Sequence, residues 1–214
     1  MNCYKKEDLI AGYSLAEGEY SKDFFTDEEI MSIFIDFFSS TARKDTSYKY
    51  VFLKSILDCI DKADSKNKLT FNTLFYRFTE IYWSVVSKYN IRQRSGKKVS
   101  RSYVEQLIIE VSNLQGKYTE FNDLSLLQRR DLVEEVKKKC KVNVVGALYG
   151  DIRQIFYSFN KKEEWIEFNP LMIKFLKRHG DKIQEKNLNA WIEFMKKVNE
   201  EEEIKQLIEY NDII

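Results

Sequence analysis

Proline is nearly absent from this chain and glycine is scarce, with one proline and seven glycines in 214 residues. Average usage is roughly 5% and 7%. All-β folds consume these residues at strand connections, so their shortage leaves helix as the default. Cysteine is also sparse: Cys3, Cys59 and Cys140 are odd in number, far apart and form no C-x-x-C pair. That pattern excludes a disulfide framework or cysteine zinc site as a reading of the sequence, and a reducing cytoplasm fits it best. His179 is the single histidine, too few for a multi-histidine metal site. No G-x-G or G-K-[ST] pattern occurs, which argues against independent nucleotide hydrolysis. No stretch approaches the ~18 apolar residues of a spanning helix. The opening MNCYKKEDL carries acids by residue 7 and no apolar run, so neither an export signal nor a membrane anchor is expected. An excess of one charge is missing too. The 35 Lys plus Arg against 34 Asp plus Glu disfavour a stand-alone nucleic-acid binder and leave a local basic patch as the form such binding would take.

What is present is 43% hydrophobic, 14% aromatic and 32% charged residues, too apolar for a disordered chain and too polar for a membrane one. The expectation is an all-α fold, an irregular bundle of about eight helices. Two sub-bundles, residues 1–118 and 119–214, are drawn at the polar GKYTEFND stretch, with one domain as the alternative.

Local signals place the helices. Thr26 and Glu29 have capping-box spacing before IMSIFIDFF, and Tyr48, Phe52, Leu53, Ile56, Cys59 and Ile60 repeat at helical steps to about Lys62. Thr70 opens a third helix with the stripe Leu74, Phe75, Phe78, Ile81, Tyr82 and Val85. Ser102 and Glu105 cap a fourth that Gly116 is expected to stop, and Ser125 and Gln128 cap a fifth whose lysines KKKCK suit a C-terminal end. Val142 to Phe159 reads as helix despite its β-branched residues, and WIEF as a brief extended piece. Asn169 and Pro170 then begin a helix expected to stop at Gly180. A further helix carries Leu188, Trp191, Ile192, Met195 and Val198, followed by the acidic Glu200 to Glu203 and the amphipathic IKQLIEYNDII.

Catalytic signals are weak. His179 reads as a structural or surface residue near a helix end. The pairs Glu135 with Lys137 and Glu203 with Lys205 have the residue types of a carboxylate-metal nuclease, but such pairs recur by chance in a chain rich in Glu and Lys. No cofactor is expected. The most distinctive segment is IRQRSGKKVSR, in which Arg92, Arg94, Lys97, Lys98 and Arg101 occur with no acid. It suits phosphate oxygens or an acidic partner, and an ordinary solvated loop is the alternative. Tyr76, Tyr82, Trp83 and Trp191 are candidates for a partner interface, since a polar tip on an aromatic body marks core edges and binding surfaces alike.

Three stretches, TSYKYVFLKSILDCI, LTFNTLFYRFTEIYWSVVSKYN and FNPLMIKFLKRHGDKIQEKNLNAWIEFMKKVN, together resemble the helical region that precedes the nuclease motif in a group of bacterial HNH endonuclease proteins linked to phage defence. The similarity covers Thr46 to Asn90 and Asn169 to Asn199. In that family cysteine pairs and an HNH core follow; they are missing here, so no catalytic residue carries over. The resemblance implies a helical recognition or assembly module. By architectural analogy it would be a non-catalytic adaptor that docks a larger ATPase of the structural-maintenance-of-chromosomes type or a nuclease, with DNA as a further contact. The alternative is the DNA-binding module of an HNH-type endonuclease.

Overall fold

In the computed structural model, residues 14–39, 45–96, 99–115 and 120–209 are described. Seven α-helices occur among them: α1 (Asp27–Phe38), α2 (Tyr48–Cys59), α3 (Phe71–Trp83), α4 (Tyr103–Gln115), α5 (Leu126–Asp151), α6 (Pro170–Lys196) and α7 (Glu201–Glu209). The capping signals act as their chemistry requires. The Glu29 backbone N–H donates to Thr26 Oγ1 at 3.2 Å while the Thr26 N–H donates to Glu29 Oε2 at 2.8 Å. The same reciprocal pair starts α5 at Ser125 and Gln128, and Asn169 with Pro170 starts α6.

The fold is largely but not purely helical. Four short strands, β1 (Glu17–Gly18), β2 (Lys68–Thr70), β3 (Tyr157–Asn160) and β4 (Trp165–Phe168), form one antiparallel sheet in the order β1, β3, β4, β2. The all-α expectation is corrected here. WIEF is indeed extended, but the preceding YSFN is its hairpin partner rather than helix. Alternation decides the matter: Tyr157, Phe159, Ile166 and Phe168 are buried while Ser158, Asn160, Trp165 and Glu167 face outward, the period-two pattern of a half-covered sheet. Gly18 lets β1 approach, because a Cβ there would lie 2.8 Å from ring atoms of Phe159 and Tyr149.

Two helix ends also differ from expectation. α5 continues through KKKCK to Asp151 and ends where Arg153 and Gln154 adopt φ of 52° and 62°. Its lysines are therefore not at a helix terminus: Lys137 and Lys141 both bind the carboxylate of Glu164 in the β3–β4 turn. α6 runs through Gly180 to Lys196, since its buried positions Met172, Phe175, Leu176, Ile183, Trp191 and Phe194 keep one helical phase across the glycine.

The core is one cluster drawing on α1 to α7 and the inner sheet face. It includes residues from both sides of the stretch 116–123. The helix α3 lies against α2, α4 and α5, and α6 packs on α1 and α2.

Candidate nucleic-acid interface

The basic segment follows α3 through a five-residue π-helical turn, Ser84–Lys88. Asn90 takes a left-handed φ of 54°, and the chain then runs extended. Ile91 and Gln93 are fully buried, whereas Arg92 and Arg94 are partly exposed. The segment pairs with the residues before α2: Ser47 N–H donates to the Gln93 carbonyl at 3.0 Å, Ser95 N–H donates to the Asp45 carbonyl at 2.9 Å, and Thr46 bridges Arg94. IRQR is thus a strand-like piece with one face inward.

A buried polar network holds that inward face. Gln93 Oε1 accepts from Ser47 Oγ at 2.6 Å and from Trp191 Nε1 at 2.9 Å, while Gln93 Nε2 lies 3.2 Å from Met195 Sδ. Since Ser47 uses its only hydrogen on Gln93, the Tyr82 hydroxyl must be the donor in the 2.6 Å contact to Ser47 Oγ. Complete burial pushes the Tyr82 phenol well above its ordinary value, keeping that proton in place. Asn199, just after α6, clamps the preceding residue, Arg92, from both sides: its Oδ1 accepts from the Arg92 N–H at 2.6 Å and its Nδ2 donates to the Arg92 carbonyl at 3.0 Å.

The outward side chains shape the loop itself. Arg92 Nη2 donates to the Val99 and Gly96 carbonyls at 2.6 and 3.3 Å. Arg94 Nη1 reaches the Ser100 carbonyl and hydroxyl, each at 3.4 Å. Gly96 turns the loop with φ of 89°, where a Cβ would meet Val99 Cγ2 at 2.9 Å. Among the described residues no carboxylate pairs with Arg92 or Arg94, so their charges are bonded but not neutralised. Arg101 differs. Its Nη1 lies 3.3 Å from the carboxylate of Glu105, which is wholly buried, and its Nη2 donates to the carbonyl and side chain of Asn90. Arg101 is therefore the counter-ion of a buried acid and a cap on the preceding helical end, unlike Arg92 and Arg94. Lys97 and Lys98 lie outside the described residues. On α5, Lys139 Nζ sits 5.4 Å from the ring centroid of the exposed Tyr103 at the start of α4, while the neighbouring Lys138 pairs with Glu135 at 3.8 Å.

The aromatic interface candidates separate. Tyr76 is exposed, its ring edge-on to Phe121 and its hydroxyl accepting from Arg129. Tyr82, Trp83 and Trp191 are buried, and their assignment to a partner surface is corrected: Tyr82 and Trp191 anchor the basic segment from inside, and Trp83 packs on Phe121. Among the described residues the most exposed large apolar side chains are Phe24 at 83%, Leu126 at 80%, Leu114 at 78% and Leu127 at 58%.

The weak catalytic candidates are dispersed. Glu135 lies in mid α5 beside Lys138, and the Glu203 carboxylate accepts from the Glu200 N–H at the start of α7. Among the described residues no group of three or more His, Cys, Asp or Glu is arranged to hold a metal ion. His179 Nε2 lies 2.8 Å from Asp27 Oδ2, and Arg178 binds the same carboxylate. These hydrogen bonds hold the Asp27 carboxyl below its ordinary range, that from Arg178 contributing most.

Ser47, Gln93 and Asn199 hold the basic segment, a role that their sequence positions do not announce. The alternation in IRQR was a usable signal for Gln93, but nothing local marks Asn199, 107 residues from Arg92. No family model, curated protein or solved structure matches this chain.

Proposed function

We propose that this protein is a non-catalytic recognition module that holds the DNA backbone on its 91–101 loop and works beside a larger nuclease or ATPase subunit in a bacterial antiphage defence complex. One observation carries the DNA contact: Arg92 and Arg94 bond to neutral oxygens on a segment pinned by a buried network, so two charges with no carboxylate partner among the described residues stand on a preorganised support. Phosphate contacts of this kind position a protein without reading base sequence, in keeping with the absence of an acid between Arg92 and Arg101.

Fluorescence anisotropy of labelled duplex DNA over a salt series tests the proposal. Binding should weaken steeply with salt, and Arg94→Glu should abolish most of it across unrelated sequences. Arg94→Lys should retain most, and Arg94→Ala should lower the salt slope by about 1. Salt-insensitive binding, or none, overturns the reading.

Exposed Leu114, Leu126 and Leu127 favour a second reading, in which docking to the larger subunit is the main role. Co-expression with the genomic neighbours followed by affinity capture tests it. A stoichiometric ATPase or nuclease that is lost on Leu126→Glu supports docking, and recovery of the chain alone under gentle conditions opposes it.

A further inference from the structure

The outer face of the sheet is the second surface with a definite chemistry, and it lies apart from the arginine loop in the chain. Its centre is an open groove of about 390 Å³, lined among others by Glu17, Glu19, Tyr20, Asn160, Trp165 and Glu167. Glu17, Glu19 and Glu167 line it with Lys22, and Lys68 from β2 already pairs with Glu167, so the carboxylates of Glu17 and Glu19 carry its acidic character. Trp165 supplies an aromatic wall and is only partly buried. Some of these groups are engaged: Glu17 accepts from Asn160 Nδ2 at 2.9 Å, and Trp165 Nε1 donates to Glu163. The Glu19 carboxylate has no partner among the described residues.

The chain itself shows how this face holds a cation. Lys68, on the neighbouring strand β2, places its Nζ 3.8 Å from the Trp165 ring centroid and 3.3 Å from Glu167 Oε2. An ammonium is thus seated between an aromatic face and a carboxylate, a combination in which the ring quadrupole and the ion pair act together. Glu17 and Glu19 are two residues apart, hence on one face and about 7 Å apart along an extended chain. That is also the spacing of same-side side chains on any extended peptide laid beside them. Across the sheet the groove spans β1, β3 and β4, two interstrand steps or about 10 Å.

We propose that this face docks an extended, lysine-bearing segment of a partner protein, with alternate lysines meeting Glu17 and Glu19 and the Trp165 ring receiving one ammonium. Charge complementarity and the internal Lys68 seat define the occupant. Lys68 is a tethered competitor for the aromatic seat.

The test is titration of the full chain with a capped Lys-Ser-Lys-Ser-Lys peptide, read by calorimetry and by tryptophan emission. Trp165 is the partly exposed tryptophan, Trp83 and Trp191 being buried. Saturable binding is expected. Glu17→Gln with Glu19→Gln should weaken it about three- to tenfold, and Lys68→Ala should strengthen it severalfold, a direction that damage to the fold does not produce. Arg94→Glu should leave it unchanged, which separates this surface from the DNA proposal. No saturable response, or equal affinity in the double glutamine variant, overturns the inference. Spermidine binding as tightly as the peptide also overturns it, because the surface would then select a small polyamine rather than a polypeptide.

Discussion

Gln93 shows how much can rest on one side chain. Its amide oxygen is the shared acceptor for two buried donors, Ser47 Oγ and Trp191 Nε1, and an unmatched buried donor costs about 1–3 kcal/mol. Gln93→Leu should therefore lower stability by roughly 2–4 kcal/mol in urea unfolding. Trp191→Phe, which removes a donor and strands no partner hydrogen, should cost less. On the proposed DNA contact, both variants should also weaken duplex binding at temperatures where they remain folded, since the arginines lose their support. The thiols make a complementary case. Burial pushes Cys140 up to about 12 and raises Cys59 as well, and neither is disulfide-bonded. In a Cys3→Ser protein, a thiol reagent at pH 8 should show no rapid reaction until denaturant is added.

Among the elements, α6 and the β3–β4 hairpin are the most instructive. Gly180 lies in the interior of α6 with nothing within 4 Å of the position a Cβ would occupy. Gly180→Ala should stabilise the protein by about 0.5–1 kcal/mol, measurable as a higher urea midpoint. The hairpin depends on Glu164. Partial burial raises its carboxyl, but the hydrogen bonds from Lys137 and Lys141 outweigh this and leave it below 4.5. A depressed folded value means that the unfolded chain binds the proton more readily. The stabilisation is present above about pH 4.5 and is lost as pH falls through the folded value. Glu164→Gln should lower the urea midpoint at pH 7 and make it fall less between pH 5 and pH 3 than in the parent.

At the scale of the whole molecule, one core spans the stretch where a boundary between sub-bundles was drawn. α2 and α3 bury their apolar faces partly against α5, so residues 1–118 alone would expose that surface to water. The isolated fragment should show no cooperative thermal transition by circular dichroism, whereas the full chain should unfold in one step.

Helix positions were largely legible because they rest on local chemistry. Capping boxes at Thr26, Ser102 and Ser125, the Asn169–Pro170 start and the apolar stripes act within a few residues, so the order of amino acids alone determines them. The phase of the stripe is also unbroken through Gly180 in the sequence, and it outweighs a single glycine because burial along 27 residues exceeds the roughly 1 kcal/mol penalty of that residue. The sheet was not legible. β1 and β2 have two and three residues, too short for a periodic signal, and they become strands only when β3 and β4 bring partners from about 90 to 140 positions away. The division of aromatics is of the same kind. Sequence spacing put Tyr82 and Trp191 on helices with a polar tip, but only the packing of α3, α6 and the 91–95 segment decided that both tips point inward. A buried hydroxyl or indole N–H must find a partner, and here the partners are Ser47 and Gln93, which come from other parts of the chain.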